Sequence, residues 1–341
     1  MKNMRKLLTL LLSAMLIFSL VGCGNKDKGA STPNNDNTSQ QNESTNSHYP
    51  VTIKTYNYAK EPIEITFNKA PEKVFAIYQN SIETLLALGL SDKIVAASGL
   101  DHDVKPEFQN DFNKINYLEE FTPSKESVIM TQPDFILGWY SLFDEKRLGE
   151  VNYWHNNKIN TYMSLNSGVI KEKTIENEIT DILNLGKIFN VEEKAKALVN
   201  EINNGVKTAS HAVKDKEKQT TLIVELGSDK IRSYGANTLG GDMVTKLGAT
   251  LLNEAGTALG KEDLINLNPD SIFVVYMDRG DENIPITKVN EILEDESLKS
   301  LSAVTNKRVY AIPLGDMYSS GIRTIDGINT FSEGLYGNLE K

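Results

Sequence analysis

Apolar and polar residues alternate in Val51-Thr-Ile-Lys-Thr-Tyr56 and in Ile63-Glu-Ile-Thr-Phe67, the period of strands with one buried face. Later runs differ. Val74-Phe-Ala-Ile77, Ile94-Val-Ala-Ala97, Phe135-Ile-Leu137, Thr220-Thr-Leu-Ile-Val-Glu-Leu226 and Ile272-Phe-Val-Val-Tyr276 are short and nearly continuous in apolar residues. That is the pattern of strands buried on both faces. Arg308-Val-Tyr-Ala-Ile312 reads as a last strand. Helical spacing falls between the strands. Ile82-Glu-Thr-Leu-Leu-Ala-Leu88 follows Tyr78-Gln-Asn-Ser81 and stops at Gly89, and residues 242–247 stop at Gly248 in the same way. Residues 174–189 read as one helix. Asn190 is expected to cap a second, with Glu192 and Glu193 in its first turn and Val191, Ala195, Leu198, Val199, Ile202 and Val206 along one face. Gly205 is the weak point of that helix. A Gly-rich turn is expected across residues 234–241, and an apolar helix closes the chain. Strands alternating with helices predict an α/β fold with mostly parallel sheets covered on both faces.

One pattern occurs twice. Lys125-Glu126-Ser-Val-Ile-Met-Thr-Gln-Pro133-Asp134 returns as Lys261-Glu262-Asp-Leu-Ile-Asn-Leu-Asn-Pro269-Asp270, and each copy runs into a buried strand. Each reads as a short helix, a Pro-Asp turn and a strand. The chain is therefore expected to form two similar lobes, 49–189 and 214–341, joined by one long helix at 190–213. A ligand cleft is expected between them, since binding sites concentrate at such interfaces.

The 341 residues suit about two domains. The formal charge is −10, and without Lys2, Arg5 and Lys6 it falls by three to near −13. An acidic chain argues against nucleic acid as a partner, because phosphate binding needs a basic surface. Cys23 is the sole cysteine, so no intramolecular disulfide can form. It follows a charged segment (Lys2, Arg5, Lys6), an apolar stretch from Leu7 to Leu20 too short to span a bilayer comfortably, and Leu20-Val21-Gly22. This has the form of a bacterial lipobox. It predicts removal of residues 1–22, lipidation of Cys23 and anchoring to the outer face of a membrane. Residues 24–47 are almost wholly polar and read as a disordered tether, so 23–48 forms the anchor and spacer.

Catalytic signatures are missing from the sequence. The four histidines form no His-Glu-x-x-His pattern, there is no Gly-x-Ser-x-Gly, and Gly235, Gly240 and Gly241 fit neither a Walker loop nor a dinucleotide fingerprint. No enzyme activity, cofactor or resident metal is expected. A metal-dependent enzyme using His102, Asp101 or Asp103 stands as the remote alternative. Binding residues are expected where strands end: Tyr78, Gln79, Asn80, Trp139 and Tyr140 in the first lobe, and Arg232, Tyr234, Tyr276, Arg279, Tyr318 and Arg323 in the second. Aromatics with a few polar groups suit a large, partly apolar ligand. Arg232, Arg279 and Arg323 could meet an anionic group, or each could pair with a surface carboxylate. Glu126 and Glu262 occupy equivalent first-turn positions. They either complement helix dipoles or form matched acidic knobs, one per lobe.

Taken in order, several segments carry a resemblance. They are the lipobox and tether, Asn80-Ser-Ile-Glu-Thr-Leu-Leu-Ala-Leu-Gly89, the two Lys-Glu-x6-Pro-Asp copies, the long central helix, Lys307-Arg-Val-Tyr-Ala-Ile-Pro313 and Arg323-Thr-Ile-Asp-Gly327. From about residue 49 onward the chain resembles the iron–siderophore and cobalamin family of ABC-transporter substrate-binding lipoproteins. The resemblance implies a rigid inter-lobe helix, modest closure around a bulky ligand, and a monomer delivering cargo to a permease with a cytoplasmic ATPase. It places permease docking at Glu126 and Glu262, and a lipid on Cys23 suits a Gram-positive cell surface. Within the family a ferric siderophore is the first expectation. A hydroxamate is favoured over a catecholate because arginines are scarce, and haem or a corrinoid ranks next.

Overall fold

In the computed structural model, residues 48–214, 216–277 and 280–337 are described. The Cys23 lipobox, most of the expected tether and Arg279 lie outside them. The alternating segments form an antiparallel hairpin, β1 (Val51–Tyr56) and β2 (Pro62–Phe67), with Val51 opposite Phe67. Ile53, Ile65 and Phe67 face inward, and the Phe67 ring meets that of Phe135 edge-on at 5.7 Å.

The first lobe then follows in chain order as β3 (Val74–Ile77), α1 (Gln79–Ala87), β4 (Ile94–Ser98), α2 (Gln109–Phe112), α3 (Lys125–Met130), β5 (Phe135–Gly138), α4 (Val151–Asn156), β6 (Asn160–Met163) and α5 (Ile175–Ile188). Its sheet is parallel, in the order β4-β3-β5-β6. α6 (Glu192–Ala212) joins the lobes. The second lobe comprises β7 (Thr220–Leu226), β8 (Ile231–Ser233), α7 (Leu239–Lys246), β9 (Thr250–Leu251), α8 (Lys261–Leu267), β10 (Ser271–Tyr276), α9 (Ile284–Leu293), α10 (Ser302–Thr305), β11 (Val309–Pro313), α11 (Leu314–Met317) and α12 (Thr324–Tyr336). Here β10 pairs in parallel with β7 and β11, as β5 pairs with β3 and β6, and β9 joins β7 as β4 joins β3. β8 adds an antiparallel edge.

The repeated motif does the same work in each lobe. Gln132 and Asn268, just before the prolines, both turn the backbone into positive φ, at 51° and 42°. The carboxylate of Asp134 then accepts the Glu72 and Lys73 N–H groups at 2.9 Å, at the foot of β3. That of Asp270 accepts the Thr220 N–H (2.8 Å) and hydroxyl (2.7 Å), at the foot of β7. Each Pro-Asp turn thus clips a new strand onto its central neighbour.

Several local expectations are corrected. Asn190 does not cap α6. It adopts φ 56° as the left-handed residue after α5, and the Val191 N–H returns to the Gly186 carbonyl at 2.8 Å, which closes the helix end. α1 starts at Gln79, because Tyr78 at φ 73° turns the chain straight out of β3. The Gly-rich turn is shorter than expected. The Thr238 hydroxyl accepts the Gly241 N–H at 3.1 Å, so Gly240 and Gly241 lie inside α7. A Cβ on Gly241 would sit 2.2 Å from the Gly235 carbonyl oxygen. Gly205 is no weak point but a close crossing, where a Cβ would stand 1.9 Å from Ile325 Cδ1 of α12. The strands β6, β8 and β9 are too short or too polar to have announced themselves.

Both lobes belong to one compact unit, Ser47–Lys341. Leu85 and Ile182 from the first lobe share an apolar cluster with Met317 and Ile322 from the second. The lobes are therefore bonded through their cores as well as through α6.

Candidate functional site

The C-terminal ends of β3 and β5 bring Tyr78 and Trp139 together, with ring centroids 4.5 Å apart. Tyr318, between α11 and α12, supplies the facing ring at 5.3 Å from Trp139. Asn80 in the first turn of α1 holds this group in place. Its Oδ1 accepts the Trp139 indole N–H at 2.7 Å, and its Nδ2 donates to the hydroxyls of Ser164 (2.9 Å) and Ser319 (3.3 Å). Ser319 belongs to the second lobe, so one amide orients the indole and ties the lobes together. Tyr78 and Asn80 are buried, whereas Trp139 and Tyr318 remain partly open. The outcome is an aromatic surface assembled from both lobes.

The aromatic line continues on either side. Tyr140 stacks on Tyr58 with centroids 4.7 Å apart and planes 9° from parallel, and Lys60 Nζ lies 4.8 Å over the Tyr140 ring. In the second lobe Tyr234 is buried, its hydroxyl donating to Glu225 at 2.7 Å. Arg232 lies 4.6 Å over that ring and pairs with Glu225 at 3.2 Å while staying exposed. Lys173 links these ends. Burial, then the charges of Lys60 and Arg232, hold its ammonium below the usual lysine range. Lys60 and Arg232, one from each lobe, thus sit over Tyr140 and Tyr234, and their charges both act on Lys173. Among the described residues neither Lys60 nor Lys173 has a carboxylate at ion-pair distance.

Other expected residues support the site from behind. Gln79 is buried, and its Oε1 accepts the backbone N–H groups of Asp101 and His102, each at 3.2 Å. Tyr276 meets the His102 ring edge-on at 5.6 Å, and the Gly315 N–H donates to His102 Nε2 at 3.4 Å. Among the described residues no group of three His, Cys, Asp or Glu side chains is arranged to hold a metal ion.

The assignment of Arg323 to a ligand's anionic group is corrected. Its Nε and Nη2 pair with Glu83 of α1, which has no exposed side-chain surface, and Nη2 also donates to the Asp103 carbonyl at 2.8 Å. Nη1 lies 3.4 Å from Asp316. Arg323 is therefore a clasp between the lobes. Lys105 reinforces it by bonding Asp326 of α12 at 2.7 Å. A second clasp is the buried Glu178 of α5. It accepts the Ser320 and Gly321 N–H groups at 3.1 and 2.7 Å and the Asn166 amide at 2.7 Å. Burial raises the carboxyls of Glu178 and its neighbour Asp181 above their ordinary values.

Sequence reasoning missed Tyr58, Lys60 and Lys173. Tyr58 and Lys60 lie in the β1–β2 turn, and Lys173 just before α5; no strand end marks either place. The positive φ of Lys60 (64°) comes from a tight turn whose Asn57-x-x-Lys60 frame was legible only as a loop.

Glu126 and Glu262 are both exposed in the first turns of α3 and α8. The Ser124 hydroxyl caps α3 by accepting the Ser127 N–H at 3.0 Å, and the Asp263 carboxylate accepts the Gly260 N–H at 2.7 Å.

A model of the periplasmic binding protein family matches residues 74–314. An uncharacterized ABC transporter substrate-binding lipoprotein of Bacillus subtilis (strain 168), YvrC, is 24% identical, with 97% of this chain and 96% of that protein aligned. The petrobactin-binding protein YclQ of the same organism is 25% identical, with 93% and 94% aligned. The crystal structure of a periplasmic binding protein from Veillonella parvula DSM 2008 is 34% identical and covers 85% of this chain and 92% of its own, with a TM-score of 0.78. By sequence and by its two lobes with a joining helix, the chain belongs to the periplasmic binding protein family, whose members here are solute-binding proteins and not enzymes.

Proposed function

We propose that the chain is the extracytoplasmic solute-binding lipoprotein of an ABC importer, held at the cell membrane by Cys23, and that it captures a ferric siderophore for delivery to a permease. The observation that carries this reading is the aromatic surface of Tyr78, Trp139 and Tyr318, contributed by both lobes, with Lys60 and Arg232 over the further rings Tyr140 and Tyr234. An iron chelate with flat apolar faces and an anionic edge matches both halves. One relative being named for petrobactin binding supports the same class. Delivery is assigned to Glu126 and Glu262, exposed on equivalent helices of the two lobes.

Scarce arginines favour a hydroxamate. Lys60 and Lys173 supply cations that counting arginines overlooked, so the ligand proposed here carries negative charge on the side facing them. Tryptophan fluorescence and melting of the domain from residue 49 onward test this against a ferric catecholate, a ferric hydroxamate, haem and cyanocobalamin. The expected result is quenching and stabilisation by an anionic ferric siderophore at micromolar concentration, weakened by salt. Replacing either Lys60 or Lys173 by alanine should weaken that binding about tenfold, the scale of one charge-assisted contact. Response to haem or cyanocobalamin alone would move the assignment to that ligand. No response to any of the four would overturn the reading.

A further inference from the structure

We infer that the first lobe carries an apolar anchor beside Glu126: the groove between α3 and residues 116–120 seats an otherwise apolar segment of the membrane permease that carries arginine or lysine. The inference rests on the importer reading above and deepens it. The groove encloses ≈ 760 Å³ at the edge of the first-lobe sheet, with Val95, Tyr117, Leu118 and Met130 as its apolar lining and Glu119 and Glu120 as its charged lining. None of its lining residues is basic. Met130 is 82% exposed, and Ile129 and Tyr117 beside it are 43% and 37% exposed. Single exposed apolar residues need no explanation, but three around one acidic groove form a patch.

The helix geometry joins this patch to the proposed docking point. Ile129 and Met130 lie three and four residues after Glu126, so all three share one face of α3. Lys125, the adjacent cation, is drawn away, with its Nζ 3.2 Å from the centroid of the Tyr153 ring. Glu120 fixes the groove wall, accepting the Ser124 N–H at 3.0 Å and the Ser127 hydroxyl at 3.1 Å. The surface is therefore acidic, apolar and built before any partner arrives. Its complement is a cationic head on an aliphatic stem set in apolar sequence.

The second lobe repeats half of this. Glu262 is followed at the same spacing by exposed Ile265, but Asn266 stands where the first lobe has Met130. The paired glutamates treat the lobes alike, whereas the groove lets a partner tell them apart.

The test uses the full lipidated chain and its permease–ATPase complex reconstituted in nanodiscs. Met130→Asp is expected to weaken complex formation about tenfold, as loss of an apolar hot spot does, with an unchanged melting temperature since the side chain is exposed. Asn266→Asp should change it less than about twofold. A photo-crosslinker at position 130 should map to a permease segment containing arginine or lysine. If Glu126→Ala with Glu262→Ala weakens the complex but Met130→Asp does not, the groove falls and the docking reading stands. If neither variant weakens it, both fall. Crosslinks at 130 joining two copies of this chain would assign the groove to self-association and overturn the proposal.

Discussion

Asp316 is a buried carboxyl whose chemistry departs from what its type suggests. Burial pushes its carboxyl up to about 7, the nearby charges of Asp326 and Glu83 add to this, and Arg323 opposes it. The folded-state value lies above the ordinary 3.8, so the native state holds this proton more tightly than the unfolded chain. Stability from this group is present at low pH and is lost as pH rises from about 4 to about 7, by roughly 4 kcal/mol at most. Asp316→Asn removes that dependence. Melting of the variant should gain on wild type as pH rises from about 5 to about 8, and a gap that stays constant would refute the assignment. Glu83 matters through its ion pair with Arg323. Glu83→Gln leaves Arg323 buried with a weakened partner, which should cost roughly 3–5 kcal/mol in denaturant unfolding. Both roles lie beyond sequence reading: Arg323 and Glu83 are 240 residues apart, and nothing local marks them as a pair.

At the scale of elements, the helix, Pro-Asp turn and strand unit carried most of what could be read early. β3, β5, β7 and β10 form where continuous apolar runs stood, because a strand covered on both faces needs no polar alternation. Asp134 and Asp270 explain why the motif kept its spacing, since the carboxylate must reach the first N–H groups of the adjacent strand. Asp270→Ala should destabilise by about 1–3 kcal/mol through unpaired half-buried strand-foot donors, and Asp134→Ala by less, because the Glu72 and Lys73 N–H groups are exposed to water. The asparagine variants should recover part of this, since an amide oxygen can accept the same bonds. Equal loss in both substitutions at each site would count against the clip. In Gly205→Ala the new Cβ would force Ile325 Cδ1, the end of a flexible and half-exposed side chain, to swing aside. Helix propensity favours alanine by about 1 kcal/mol, so the two effects should leave denaturant unfolding within about 1 kcal/mol of wild type.

Across the whole molecule, the two lobes are held by more than α6. Arg323 with Glu83, Lys105 with Asp326, and Glu178 with Ser320 and Gly321 all cross between them. The second-lobe Asp242 also accepts the Ile175 N–H at the start of α5, at 2.9 Å. Opening the lobes widely would strip partners from buried charges, so ligand capture should proceed with little rearrangement. Small-angle scattering with and without ferric siderophore should show radii of gyration within about 1 Å of each other. A larger contraction would show that these clasps break during the cycle.

By itself the amino-acid sequence determined the α/β class, the two lobes, the joining helix and the equivalence of Glu126 with Glu262. Each of these is written in a local period or a repeated spacing, and backbone geometry converts such patterns directly into elements. Only the tertiary structure decided which polar residues hold the lobes together. Arg323 of the second lobe pairs there with the buried Glu83 of the first. The reason is physical: a charge is assigned by the groups that surround it after folding, and those groups come from the other lobe.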